Sequence, residues 1–389
     1  MRLLILGPNS RSGPATPIGL GCQRCALLEQ CGGTTEFDCF ADCCGQPATC
    51  RLACPKAERW VEAVRDGGGV EMQRSYQITQ DKDDLPDYVP HVLHSSGRSG
   101  RFSWGYIALT TFDITAPASP TSFSGPSDLR RYFGVADDAR IVLLSVGKDN
   151  RLEHHWRYSA SHHLAEYLAA LDISHITAPN FSMAHNDPRP EHLVNRSRSL
   201  REAERFTAAG LSVIPHLNAV TQKDWDCWRD FFKDHPHLSV VAQEFQTGLA
   251  VRHKARWHIW QLMNIEQALG RGFRLLAIGG RRHLPLLVGL GAVTIADANP
   301  FIKTQMRQKL VDGKWLRHAN TEGELLDRLL NDNVAAYTQH VENRLAMCRQ
   351  IGPLLPTYEP VLQNGATSVV PVSELQMALP WPSAIVSAL

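Results

Sequence analysis

Eight of the chain's ten cysteines fall in one stretch, GCQRCALLEQCGGTTEFDCFADCCGQPATCRLACP, at Cys22, Cys25, Cys31, Cys39, Cys43, Cys44, Cys50 and Cys54. Thiolates at such short spacings suit metal chemistry, because one loop can wrap several of them round a single centre. Disulfides are the weaker reading in a reducing compartment, where thiol buffers keep cysteines reduced. Iron–sulfur ligation is therefore expected, with zinc as the alternative and disulfides or free thiols behind both.

A second set of reactive side chains lies far downstream, each just after an apolar run. In chain order these are Asp113; Lys148, Asp149 and Asn150; Asn180, Ser182 and His185; His216 and Asn218; Glu244, Gln246 and Thr247; Gly279, Gly280, Arg281 and Arg282; Asp297 and Asn299. Asp297, in VTIADANPF, is the leading catalytic candidate. A carboxylate that directly follows a buried strand is partly desolvated, which suits a nucleophile or general base; the alternative is a helix cap or a structural ion pair. Glu244, in VVAQEFQTG, has the same context. Asn180 and Asn218 carry planar amides able to read the edge of a heterocycle or to tie loops together. Histidines are plentiful, yet no His-x-His follows the first strand and no His-Glu-x-x-His occurs, so the common metal-hydrolase sites are not written here. Arg189, Arg196, Arg198, Arg201 and Arg205, then Arg252 to Arg256, then Arg281 and Arg282 follow successive strands, and guanidinium forks there would suit phosphate oxygens.

The elements that must position these groups are legible as short apolar runs alternating with amphipathic ones. Strands are expected at Val89–His94, Tyr106–Asp113, Arg140–Gly147, His175–Phe181, Leu211–Asn218, Leu238–Phe245, Arg274–Gly280 and Ala292–Asp297. Helices are expected at Ser161–Leu171, Pro190–Ala209, Gln222–His235, Ala255–Leu269, Leu284–Leu290, Thr304–Val311 and Val334–Gln350. Thr221 with Asp224 three residues on is a helix start of the capping-box kind. Eight strands in this rhythm predict a (β/α)8 TIM-like barrel preceded by a small Cys-rich metal-binding module, with an open doubly wound sheet of six parallel strands as the alternative. No Gly-x-Gly-x-x-Gly or phosphate-loop motif follows any strand, which weighs against that alternative. In a barrel, the strand-end residues converge on one face.

With 389 residues, 43% hydrophobic and 20% charged, the chain is long enough for more than one unit. The expected division is a metal-binding module over 1–70, the barrel over 85–330, and a carboxy-terminal helix with a packed tail over 331–389. No run of about 18 apolar residues could cross a bilayer and no signal peptide is recognisable, so a cytoplasmic protein with no membrane partner is expected. The net charge of +1 neither demands nor excludes nucleic acid.

Several stretches carry resemblances. C-x2-C-x5-C followed by Gly-Gly resembles the auxiliary iron–sulfur segments of some radical enzymes, and Cys54-Pro55 resembles the Cys-Pro that closes a ferredoxin motif. The segment LLAIGGRRHLPLLVGLGAVTIADANPFIKTQMR, residues 275 to 307, resembles the tRNA-guanine transglycosylase superfamily, whose members exchange a base in nucleic acid on a (β/α)8 barrel. That resemblance implies that Asp297 is the nucleophile, that Asp149 or Asp113 stands near the first active-site acid, and that Asn180 and the Gln246–Gly248 loop lie where the base binds. It further implies nucleic acid and a 7-deazaguanine base as partners. The Asp-Ser-Gly-Gly-Phe motif and the carboxy-terminal zinc site of that superfamily are absent, which fits a remote relative such as a DNA-guanine transglycosylase.

Overall fold

The computed structural model describes residues 76–81, 85–100, 102–115, 121–183 and 189–352. The cysteine segment with its expected metal ligands, His185, and the chain beyond 352 lie outside them. The described residues form a mixed α/β fold with parallel sheets. Strands β1 (Tyr88–Pro90), β2 (Tyr106–Thr110), β3 (Arg140–Leu144), β4 (His175–Thr177), β5 (Val213–Ile214), β6 (Val240–Glu244), β7 (Arg274–Ile278) and β8 (Ala292–Asp297) build two four-stranded sheets. Their orders are β1-β8-β7-β6 and β2-β3-β4-β5, every pair parallel. Single parallel bridges, His91 to Ala108 and His216 to Ala242, join the sheets at both edges.

Helices fill the connections: α1 (Thr111–Ile114), α2 (Pro126–Phe133), α3 (Asp149–Tyr158), α4 (Leu164–Ala169), α5 (Arg189–Ala208), α6 (Gln222–Asp234), α7 (Arg252–Leu269), α8 (Leu284–Leu287), α9 (Asn299–Gln305) and α10 (Glu324–Ile351). The start of α6 is the capping box expected from sequence, with the Thr221 side chain accepting from the Asp224 N–H and the Asp224 carboxylate accepting from the Thr221 N–H.

Strand side chains alternate between two faces. One face packs against the helices, burying Ile107, Leu143, Ile176, Val213, Val241, Leu275, Val293 and Ile295 in the main core. The other gathers Val89, Ala108, Val142, Ile214, Ala242, Leu276 and Ala296 into a smaller cluster that draws on both sheets. We call these the outer and inner faces.

At their amino ends β5 and β6 do not pair directly, and one side chain bridges them. The Gln80 amide donates to the carbonyls of Val213 (3.0 Å) and Val240 (2.9 Å), and its oxygen accepts from the N–H groups of Ser239 and Val240, both at 2.8 Å. Beside it the Val213 N–H donates to the Thr79 carbonyl. The amide has two donors and an acceptor, so it can stand in for a missing pair of ladder bonds.

Two local expectations are corrected, and one helix was not anticipated. The run Thr304–Val311 is not a helix: α9 ends at Gln305, and β9 (Gln308–Val311) pairs antiparallel with β10 (Lys314–Arg317). Asp312 and Gly313 both take positive φ, 49° and 76°, the backbone a two-residue Asp-Gly hairpin turn requires. The polar segment after β3 forms α3, whose charged surface hid its periodicity. The last helix begins ten residues earlier than expected, at Glu324 rather than Val334, because Asp327 anchors its first turn through the N–H groups of Ser99 and Gly100.

Replacing Gln80 with Ala removes four hydrogen bonds to backbone at the β5/β6 seam, and a fifth from the Ser239 hydroxyl, and is expected to lower stability by about 2 kcal/mol or more. Chemical denaturation of the two proteins measures it; an unchanged midpoint would show that the seam holds without the amide.

Candidate active site at the strand carboxyl ends

Asp297 closes β8 and is 9% exposed. It shares the outer-face alternation of Val293 and Ile295, so its side chain enters the layer between sheet and helices rather than the inner cluster. There Oδ2 accepts from the Tyr337 hydroxyl of α10 at 2.9 Å. Oδ1 accepts from the Asn299 N–H at 3.0 Å and the Tyr88 hydroxyl at 3.4 Å. The two tyrosine rings meet edge to face with centroids 5.1 Å apart. Burial pushes the Asp297 carboxyl above the ordinary carboxylate range, against the Asn299 N–H, the Tyr337 hydroxyl, the Arg281 charge and the Tyr88 hydroxyl. Burial and the neighbouring carboxylate raise both tyrosines. The Arg281 guanidinium lies 5.5 Å from the centre of the Tyr337 ring.

The other acids singled out from sequence are engaged differently. Glu244, buried at the end of β6, folds back on its own loop: its carboxylate accepts from the N–H of Gln246, the N–H of Thr247 at 2.9 Å and the Thr247 hydroxyl at 2.8 Å. Asp149 is exposed in the first turn of α3 and accepts from the Ser182 hydroxyl at 2.5 Å. Asp113 pairs with Arg151 at 2.9 Å.

Gly279 and Gly280 serve the turn after β7. Gly279 has φ +74°, and a Cβ there would run into the Gln246 side chain; a Cβ on Gly280 would lie 2.8 Å from that of Ala277. Gln246 thus covers Gly279, and the two strand-end loops are packed on each other. Asn180 is half-buried, and its N–H donates to the Ser145 carbonyl. Asn218 links the ends of β4 and β5, its Nδ2 donating to the Phe181 carbonyl at 3.0 Å while its own carbonyl accepts from the Trp228 indole at 2.9 Å.

His216, two residues past β5, has the inner-face alternation of Ile214 and is 2% exposed. Its Nδ1 is 3.2 Å from the Asn218 Oδ1. Burial lowers its pKa to about 4, the Asn218 contact acting the other way. His91, also at a sheet edge, has its Nε2 3.0 Å from the Thr110 hydroxyl and is likewise lowered by burial to about 4.

The arginine rim expected along residues 189–205 is corrected. Arg196 is paired with Asp224 at 2.6 Å, Arg198 grips Glu153 at 2.8 and 2.6 Å while lying over Phe181, and Arg205 is paired with the buried Glu202. The first two pairs hold α5 to α6 and α3, and the third lies within α5 itself. Arg281 is half-buried and Arg282 exposed. Tyr88 and Tyr337 were not found by sequence reasoning: Tyr88 falls just before the strand expected from Val89, Tyr337 lies inside the amphipathic helix expected at Val334–Gln350, and neither carries a motif. Among the described residues no group of three or more His, Cys, Asp or Glu could hold a metal ion. No described helix is long and apolar enough to cross a membrane.

The neutral histidines predict a pH response. The unfolded chain takes up a proton at His216 near pH 6.5, whereas the folded chain resists until about pH 4, so between these values the unfolded state binds more protons and stability falls as pH falls. His216 alone is expected to account for up to about 3 kcal/mol of that loss. Denaturation curves at pH 7 and pH 4.5 for the native protein and His216→Phe should differ in slope with pH; parallel curves would show that His216 is not buried neutral.

No protein-family model matches the chain, and no curated protein matches it.

Proposed function

We propose that the two sheets form one closed (β/α)8 barrel and that the chain is a nucleobase transglycosylase, exchanging guanine in nucleic acid for a 7-deazaguanine. The barrel reading is supported by the registers. Thr110 aligns with Leu144, Thr177 with Ile214, Val240 with Arg274 and Arg274 with Ala292. Extending the remaining pairings and the two edge bridges takes the circuit from Leu93 back to Leu85, eight residues earlier on the first strand. A shear of eight with eight strands is the value for this barrel.

The observation that carries the chemical reading is Asp297 itself. It is buried at the end of its strand, has its carboxyl held above the ordinary range, and has Arg281 nearby without an ion pair among the described residues, whereas Glu244, also buried, spends its carboxylate on its own loop. Oδ2 accepts one hydrogen bond and keeps a lone pair. In the proposed double displacement, that lone pair attacks C1′ of a flipped-out nucleotide and the C1′–N9 bond breaks. Guanine leaves with a proton from the exposed Asp149. The incoming deazaguanine nitrogen then attacks C1′, releases Asp297 and returns its proton to Asp149. Arg281 and Arg282 hold flanking phosphates. The eight amino-terminal cysteines bind an iron–sulfur cluster, or zinc, in a role that organises their segment; no step of the exchange runs through it.

A second reading has its own observation. Asp297 lies on the outer face with both oxygens bonded, which suits a structural clasp in a barrel that binds nucleic acid or a partner without catalysis. Asp297→Asn separates the two. The variant is expected to lose exchange of labelled 7-deazaguanine into nucleic acid while keeping nucleic-acid binding, and retained turnover would sink the nucleophile assignment. For the cysteines, the purified full-length protein is expected to be brown, with absorbance near roughly 400 nm; a colourless zinc-loaded sample would overturn the cluster in favour of zinc.

A further inference from the structure

His216 carries an unusual constraint. The Asn218 amide is oriented by the Phe181 carbonyl, which accepts from Nδ2 at 3.0 Å, so Oδ1 must face His216. Oδ1 carries no proton, so His216 Nδ1 must supply the one between them. A neutral imidazole has only one N–H, and Nε2 is therefore a bare lone pair. That nitrogen is fully buried and has no hydrogen-bond partner among the described residues. Folded proteins leave few buried acceptors unmet, and such a group calls for a donor that arrives from elsewhere.

Its surroundings define that donor. His216 follows Ile214 on the inner face and is bridged to Ala242, and both neighbours belong to the apolar inner cluster with Val240, Leu276 and Ile278. At the carboxyl end of β6 Glu244 shares the alternation of Val240 and Ala242, its carboxylate held by the Gln246 and Thr247 N–H groups and the Thr247 hydroxyl. An apolar lining closed by a carboxylate disfavours an anion, and a bare nitrogen lone pair repels phosphate and carbonyl oxygens.

We propose that His216 is a specificity-determining residue whose Nε2 accepts a hydrogen bond from the ring N–H of an uncharged, planar heterocycle bound against the inner face at the carboxyl ends of β5 and β6. Asn218 is its positioning residue, because turning the Asn218 amide over would move the proton to Nε2 and convert the acceptor into a donor. The proposal rests on the inner-face arrangement and not on the chemical step assigned to Asp297, so loss of either leaves the other standing.

Guanine, which carries ring N–H groups, is the probe. Nitrogen-15 spectra of full-length protein labelled at histidine, recorded at pH 7.5, are expected to show His216 as the Nδ1–H tautomer with an unprotonated Nε2. Saturating guanine should shift the Nε2 resonance in the direction of hydrogen bonding. In calorimetric titrations His216→Phe should weaken guanine binding at least about tenfold, the effect of losing one hydrogen bond. The spectra of the native protein decide the matter if that variant fails to fold. An Nε2–H tautomer in the free protein, no guanine binding, an unshifted Nε2 at saturation, or undiminished affinity in a folded His216→Phe would each overturn the proposal.

Discussion

The carboxylate of Asp297 is the constraint on which this end of the molecule depends. A carboxylate that is nearly out of water is costly unless hydrogen-bond donors surround it. Its donors come from three places: Tyr88 on β1, Tyr337 on α10, and the Asn299 N–H at the start of α9. Satisfying one side chain therefore fixes a strand, a long helix and a turn relative to β8. The consequence reaches the hairpin, since Asn333, one turn before Tyr337, donates to the Thr304 hydroxyl and the Gln308 carbonyl and accepts from the Leu310 N–H. Helix α10 is thereby tied at one end through Asp327 to the loop at 99–100, and in its middle through Tyr337 to the carboxyl end of β8.

The same reasoning explains the opposite edge of the sheets. Between β5 and β6 the ladder is reduced to the bridge at His216 near the carboxyl ends, and the Gln80 amide takes its place at the amino ends. Backbone polar groups in an apolar layer must be paired; at the amino ends one side chain meets that demand, and at the bridge the backbone does so itself, the Ala242 N–H donating to the Pro215 carbonyl and the Leu217 N–H to the Ala242 carbonyl, both at 2.8 Å. His235 and His237 extend the arrangement, their Nε2 atoms lying 2.6 and 2.7 Å from the carbonyls of Tyr76 and Ile78. The segment that carries Gln80 is thus held along its length, which keeps the amide in place.

How much of this was legible in the sequence depended on the range of the interaction. The strand runs and the starts of α5, α6 and α8 were legible, because they follow from local periodicity and capping; Thr221 with Asp224 is the clearest case. Which polar strand-end residue faces a ligand and which serves the fold was not. Glu244 and Asp297 look alike in one dimension, each a carboxylate after an apolar run, yet one caps its own loop and the other recruits partners some 40 and 209 residues away. The arginines of α5 looked like a free cationic face because their acids, Glu153 and Asp224, sit on other elements. Asp312-Gly313 was legible in principle as a hairpin turn, but an apolar helical pattern running into it outweighed a two-residue signal.

The alternation of strand side chains also limits where a ligand could meet both groups that stand out chemically. His216 has inner-face alternation and Asp297 has outer-face alternation, so no single position between neighbouring strands touches both. Each lies at the carboxyl limit of its strand, however: Asp297 ends β8, and His216 lies two residues past β5. Beyond the last ladder bonds the two faces are no longer separated by backbone. A ligand reading the His216 lone pair and reacting at Asp297 would have to lie across the strand ends, over the turn that Gly279 and Gln246 close after β7. Arg281 follows that turn directly and already lies against Tyr337. The packing of Gln246 on Gly279 closes that turn from the side of β6, so the strand-end loops of β6 and β7 move as one surface only if both side chain and glycine are kept.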